Sequence, residues 1–308
     1  DTTNQSLTSV KYKDGRMASK LLTKLMGTNC FTNPKDVALL ILIFRALGLN
    51  NGDIVLDFFS GSSTTAEAIM HFSVDGINAK FIMVQVQEDM DAMAKYATGS
   101  SKSVLKNAID LCDKIGVPHK ITEIGKERIR RAGEKILEEL TAKNTKEEGR
   151  GLFSDSDRER VRDVRAFRGS KDLDIGFRVL KLDESNMKDV YFPASDYNKE
   201  LVESIKNNIK EDRSDMDLLY GCLLDWKLPL SLPHTHEEID GVTVHTYHGG
   251  ALIACFADNI SDEVVKEIAK RKPLRAVFRD SSFADSPSKI NVEEIFKLLA
   301  PGTSVKVI

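Results

Sequence analysis

The chain has 308 residues, 41% hydrophobic and 30% charged, with a formal net charge of −3 at neutral pH. That length allows two domains with buried cores, and no apolar run is long enough to span a bilayer. The slight acidity gives no global signature of nucleic-acid binding, so a DNA-binding face has to be local or lie in sequence beyond this chain. The start, Asp1-Thr2-Thr3-Asn4, has neither the basic nor the apolar stretch of a signal peptide. Lacking an initiator Met and opening on polar residues, it reads as a cut end. Cys30, Cys112, Cys222 and Cys255 contain no CxxC pair. This argues against a zinc knuckle or a redox pair and fits reduced thiols in a cytoplasmic protein.

Taken in chain order, a short helix is predicted over Met17–Met26. In Asn33-Pro34-Lys35-Asp36, Asn33 reads as a helix N-cap and Pro34 as the first helical residue. Val37, Leu40, Ile41 and Phe44 follow at helical spacing until Gly48 stops the helix. Asp53–Phe59 is a short run of strand formers, Ser60–Thr65 a turn of small residues, and Ala66–Phe72 a helix. Asp75-Gly76 turns the chain into a second apolar run, Lys80–Gln87. Strand, loop, helix and strand in this order form the unit of parallel α/β sheets. Helices are expected at 101–115 and 125–142. Residues 143–170 are dense in both charge signs, as in a linker or an exposed helical connection. Beyond them the pattern changes to a strand over Asp174–Leu182 and helices at 196–210 and 214–225. Two hairpin turns follow, at Asp240-Gly241 and His248-Gly249-Gly250. A helix near 262–271, a strand near 274–279, a helix at 291–299 and a last strand at 303–308 complete a second, smaller α/β domain. The expected division is 1–142, a linker over 143–172, and 173–308.

The most informative stretch is Leu56-Asp57-Phe58-Phe59 running into Ser60-Gly61-Ser62-Ser63-Thr64-Thr65. A strand that enters a small-residue turn and then a helix exposes backbone N–H groups, and open α/β sheets bind ligands at that edge. Small side chains let the backbone approach a ligand, and a helix N-terminus favours a carboxylate. No Lys follows the loop, so it is not a nucleotide P-loop, and its single Gly excludes the GxGxxG dinucleotide fingerprint. An ordinary strand–helix turn remains the plain alternative.

Asp57-Phe58-Phe59-Ser60-Gly61-Ser62-Ser63-Thr64-Thr65 resembles the S-adenosylmethionine (AdoMet) motif of DNA amino-methyltransferases, D-x-F-x-G-S-G-T-T. Asn33-Pro34-Lys35 is similar to the upstream motif that packs over the methionine of AdoMet. Phe81-Ile82-Met83-Val84-Gln85 matches the family's second strand. Glu123-Ile124-Gly125-Lys126-Glu127-Arg128-Ile129-Arg130-Arg131-Ala132-Gly133 looks like the following helix in type III restriction-modification Mod subunits. Asp174-Ile175-Gly176-Phe177-Arg178-Val179, Leu274–Phe283 and Ile290-Asn291-Val292-Glu293 resemble their C-terminal domain. The resemblance covers residue 30 to the end. It implies a partial AdoMet-dependent methyltransferase (Rossmann-like) sheet, adenine-specific DNA methylation in the full-length protein, and duplex DNA, a second Mod subunit and the restriction (Res) subunit as partners. Two departures stand out. Ser63 replaces a Gly, which would cost about 1 kcal/mol or more if φ there is positive. The catalytic DPPY, DPPF or NPPY tetrapeptide is absent, so the isolated chain is expected not to transfer methyl groups. The alternative is a non-catalytic module for Mod–Mod or Mod–Res assembly.

The resemblance implies a cofactor set of Asn33, Lys35, Asp57, Phe59, Ser60, Gly61, Ser62, Ser63, Thr64, Thr65, Gln85 and Gln87. Asp57 reads as a charge that orients the loop and the AdoMet amino group, or as a helix-capping Asp. Phe59 covers the cofactor or belongs to the core. Thr64 and Thr65 bond the carboxylate, cap the helix, or do both. Asn33 and Lys35 contact the carboxylate or simply begin a surface helix. Gln85 and Gln87, with Glu88 beside them, end the second strand where ribose-binding side chains sit in related folds. His234, His236, His245 and His248 suggest a metal, but they straddle hairpins without a carboxylate or Cys at a ligand spacing, and no metal is expected. The run Lys126–Arg131 reads as a solvated helix face rather than a phosphate contact, because Glu interrupts it. A half sheet would leave an unpaired apolar edge near 54–58, and residues 1–140 are expected to be less stable than 173–308.

Overall fold

The computed structural model describes residues 15–148, 174–188, 208–283 and 286–308. The chain separates into two compact units, Asp1–Phe177 and Arg178–Ile308. Each is a mixture of helices and sheet, as expected for an α/β chain. Among the described residues no helix is long and apolar enough to cross a membrane.

The first unit contains α1 (Gly15–Met26), α2 (Val37–Ala46), β1 (Ile54–Asp57), α3 (Thr64–Val74), β2 (Lys80–Met83), α4 (Met90–Ala94), α5 (Gly99–Ile115) and α6 (Ile121–Glu148). Asp36, not Asn33, caps α2: its backbone is extended and its Oδ1 accepts Leu39 N–H at 2.8 Å. Asn33 lies three residues upstream at φ 53°, a left-handed bend that Asn tolerates. Gly48 ends the helix at φ 73°. β1 and β2 pair in parallel, with Ile54 opposite Lys80 and Asp57 opposite Met83. Strand alternation then divides the two faces. Phe81 and Met83 pack on Ala66 and Met70 of α3 and on Ile129 and Ile136 of α6. Ile54, Leu56 and Ile82 remain exposed on the opposite face, and Val84 and Val86 continue the exposure beyond β2. A second cluster joins Leu22 and Met26 of α1, Cys30, Met90, Leu111 and Cys112 of α5, and Ile124 of α6. Burial pushes the Cys30 and Cys112 thiols up to about 11, which makes them packing groups rather than nucleophiles.

The second unit contains α7 (Asp215–Asp225), β3 (His234–Ile239), β4 (Val242–Tyr247), β5 (Leu252–Cys255), α8 (Asp262–Lys270), β6 (Arg275–Phe278), α9 (Ser286–Leu299) and β7 (Ser304–Val307). The sheet order is β3-β4-β5-β6-β7, antiparallel through β5 and parallel from β5 to β7. Asp240 (φ 50°) and Gly241 (φ 77°) supply the two left-handed residues of the β3–β4 hairpin. Val264, Val265 and Ile268 of α8 and Val292 and Phe296 of α9 cover one face of the sheet. Leu218, Leu219 and Leu223 of α7 cover the other, against Tyr247, Leu252 and Val277. Strand β5 lies between them and is buried at all four residues, as a strand covered on both faces must be.

Two expected elements differ. Asp174–Leu182 forms no strand: Asp174 Oδ1 accepts Gly176 N–H at 2.9 Å in a local turn, and Arg178 donates to the carbonyls of Leu230 and Leu232. Side-chain anchors rather than a backbone ladder hold this stretch. The helix predicted at 196–210 lies mostly outside the described residues; at its end, Ile209 makes an isolated bridge to Met187. The linker expected over 143–172 is helical to Glu148, and 149–173 lie outside the described residues.

Helix α6 approaches the β1–α3 loop through Gly125, where an added Cβ would lie 2.6 Å from Ser63 Oγ. Overpacking there outweighs the better helix propensity of Ala, so Gly125→Ala is expected to destabilise the chain by about 1–2 kcal/mol in urea unfolding. Gly15→Ala, with nothing within 4 Å of the new methyl, should be neutral or slightly stabilising.

The two units contain histidines of opposite tendency. When the ring is protonated, the His119 ring nitrogens donate to the carboxylates of Asp113 and Asp91, each at 2.9 Å, and these bonds, Asp113 first, raise its pKa above 6.5. Its stabilisation is complete below 6.5 and is lost as pH rises through the raised pKa. Burial first, then the neighbouring His245, His236 and Arg178, lowers the pKa of His234. Its contribution is present above 6.5 and is lost as pH falls through the lowered value. NMR titration of the imidazole signals should place His119 above and His234 below that reference, and His119→Asn should remove the alkaline loss of stability in the first unit.

Candidate functional site

The loop between β1 and α3 is tied by hydrogen bonds at residues from Phe59 to Thr65. Asp57, at the end of β1, accepts Phe59 N–H through Oδ1 at 3.1 Å and the Thr65 hydroxyl through Oδ2 at 2.7 Å. It therefore joins strand end, loop and first helical turn, and it does not cap the helix backbone. Ser63 occupies the N-cap position at φ 59°, ψ 37°, without a side-chain cap bond. A left-handed bend is thus present with a Ser. Its strain is countered by Ser63 N–H to the Ser60 carbonyl at 2.7 Å and by the Ser60–Ser63 hydroxyl pair at 2.8 Å. Gly61, at φ 51°, donates its N–H to Gln85 Oε1 at 2.8 Å, so the β2 end fixes the loop from the neighbouring strand.

Beneath the loop lies a residue that the sequence reading placed in solvent. Arg128 of α6 is 2% exposed. Its Nη1 donates to Ser62 Oγ at 2.7 Å, Thr64 Oγ1 at 2.6 Å and the Ser62 carbonyl at 3.3 Å. Its Nε donates to Glu67 Oε2 at 2.7 Å. Arg131 is also turned inward, onto the Met26 carbonyl at 2.6 Å and Glu127 at 2.7 Å. The run Lys126–Arg131 is therefore not simply a solvated face. The signal was in the spacing: Arg128 is four residues from both Ile124 and Ala132, on the apolar stripe of α6, where an Arg is buried only if it is paired.

The structure brings Asp57, Ser60, Gly61, Ser62, Ser63, Thr64, Thr65 and Gln85 into one bonded loop. Ser60, Ser62, Ser63, Thr64 and Thr65 are buried. The hydroxyls of Thr64 and Thr65 face Arg128 and Asp57. Phe59 is 89% exposed, which overturns the core alternative for its ring. Gln87 is exposed at the far end of the second apolar run. Asn33 is exposed before α2, and Lys35 lines a cleft of about 510 Å³ between α1, α2, α3 and α6, together with Glu67, Arg128 and Arg131. That upstream segment reaches the loop through Phe31, whose ring would lie 3.3 Å from a Cβ at Gly61.

In the second unit, His234 stacks with His236 and His245, and the three ring centroids lie 5.3–6.2 Å apart. His245 Nε2 is 3.3 Å from Asp215 Oδ2 and His245 Nδ1 is 3.1 Å from His234 Nε2. Among the described residues no group of His, Cys, Asp and Glu has the arrangement of a metal site.

No family model matches the chain. Three relatives do. Along 98% of its length the chain is 24% identical to the EcoP15I Mod subunit of Escherichia coli, a type III restriction-modification enzyme. It is 33% identical over 145 residues to the StyLTI Mod subunit of Salmonella typhimurium strain LT2, which is 47% of the chain. It is 34% identical over 84 residues to the EcoPI Mod subunit of Escherichia phage P1, which is 26% of the chain. The chain spans 39% of the first relative's length, 19% of the second's and 13% of the third's. By these three matches the chain is similar to the Mod subunits of type III restriction-modification enzymes.

Proposed function

We propose that the chain is the AdoMet-binding and C-terminal part of a site-specific DNA adenine methyltransferase, the Mod subunit of a type III restriction-modification system. The observation that carries this reading is the loop from Asp57 to Thr65, held rigid from below while Phe59 stands free beside it. Its groups suit the cofactor. The first N–H groups of α3 have no intrahelical partners and favour a carboxylate. In this reading the Asp57 carboxylate takes the ammonium group and the Phe59 ring is an apolar cover. Gln85 and Gln87 take the ribose, and Asn33 and Lys35 approach from the segment before α2. When bound, AdoMet supplies the methyl group.

The chain's own residues bind and orient; none supplies acceptors for the adenine amine, because no DPPY-type tetrapeptide is present. An amine whose lone pair is delocalised needs such positioned acceptors, and a duplex base has to leave the stack to meet them. In this reading the rest of the Mod protein supplies the tetrapeptide and the recognition of duplex DNA. β1 and β2 then belong to a larger Rossmann-like sheet, the full protein pairs with a second Mod subunit and with Res, and it works in the cytoplasm. A second reading is a non-catalytic assembly module. Ile54, Leu56, Ile82, Val84 and Val86, left in solvent together, favour a protein partner for this unit.

Calorimetric titration with AdoMet separates the two readings. Saturable binding is expected, weakened about tenfold or more in Asp57→Ala, with no methyl transfer to duplex DNA by the chain alone. A folded chain that does not bind leaves the assembly reading. The bare strand face also makes a stability prediction. In hydrogen exchange, amides of β1 and β2 should open at lower free energy than those of β4 and β5, whereas equal protection would show that the first unit needs no further partner.

A further inference from the structure

The bonds of Arg128 reach beyond packing. A guanidinium that is 2% exposed has one carboxylate partner, Glu67, through Nε and directs its Nη1 at the Ser62 and Thr64 hydroxyls and the Ser62 carbonyl. Ser62 and Thr64 flank Ser63, the left-handed residue that turns the chain into α3. Arg128 therefore holds both sides of the bend that aims the α3 N-terminus. Gly125, one turn earlier, lets α6 close on Ser63 itself. Both hydroxyl oxygens accept from this cation, and one of the two hydroxyls donates to the other at 3.4 Å. Contact with an anionic ligand end then falls chiefly to the backbone N–H groups of the first turn of α3.

We propose that Arg128 is a positioning residue for the amino-acid end of the cofactor. Acting through Ser62 and Thr64, it keeps the α3 N-terminus aligned for the carboxylate and has no part in holding the nucleoside. This rests on the AdoMet reading above.

The test compares AdoMet with 5′-methylthioadenosine, which has the same nucleoside but no carboxylate, on the wild-type chain, Arg128→Lys and Ser62→Ala/Thr64→Val. Both variants should lose about tenfold or more in AdoMet affinity and keep their affinity for 5′-methylthioadenosine. Without ligand, amide exchange should quicken in 60–66 only. Equal losses for both ligands, or no loss for either, would reduce Arg128 to a core-filling residue. If the wild-type chain binds neither ligand, the AdoMet reading fails by itself. Loop exchange then decides: faster exchange in 60–66 in the variants supports positioning, and unchanged exchange overturns it. Should Ser62→Ala/Thr64→Val fail to fold, Arg128→Lys carries the same comparison.

Discussion

The first unit depends on one buried ion pair. Arg128 and Glu67 lie between α6 and α3, and the charge they share is also the peg on which the β1–α3 loop hangs. A buried pair of this kind is weak as a source of net stability, since desolvation offsets much of the attraction. Breaking it is another matter: the partner left behind costs about 3–5 kcal/mol. That asymmetry accounts for a cation on an apolar stripe where an aliphatic residue would pack more simply. Its return is geometric, because an aliphatic side chain cannot hold two hydroxyls and a carbonyl in fixed directions.

The same constraint explains why the loop tolerates Ser63 in a left-handed bend. The strain of a Cβ at positive φ is of the order of 1 kcal/mol, comparable with one net hydrogen bond. Ser63 makes two contacts to Ser60 that a Gly could not fully reproduce, one of them through its hydroxyl. Asp57 and Gln85 close the loop from the strand side. The bend is thus fixed by three elements, and the rings of Phe58 and Phe59 stand exposed just before it.

Much of this was legible beforehand, and the failures have physical causes. Strand, small-residue turn, helix and parallel strand were readable from 53 to 87, because alternation and composition change together there. Asn33 misled as a cap because Pro34 after it mimics a helix start, while Asp36 was already in position to accept from Leu39. Asp174–Leu182 alternates like a strand, yet its backbone joins no ladder among the described residues, and Arg178 and Asp174 bond through their side chains. Thr64 and Thr65 read as ligand contacts or caps, and the partners that their hydroxyls take within the chain, Arg128 and Asp57, lie 64 and 8 residues away, beyond what local spacing shows. Arg128 itself was hidden in a charged run, where composition suggests solvent; only its place in the helical period argues for burial. Likeness to Mod subunits, by contrast, was legible in the motifs and is met by 24% identity along 98% of the chain.

The central claim is that the Asp57–Thr65 loop is where this chain meets its cofactor. It is tested most directly by titrating the isotopically labelled chain with AdoMet and following backbone amide signals by NMR. The account predicts that the largest perturbations fall on residues 57–66 and on Gln85, with the second unit unaffected. Perturbations confined to the cleft around Lys35 and Arg131, or to the histidine cluster of the second unit, would contradict it.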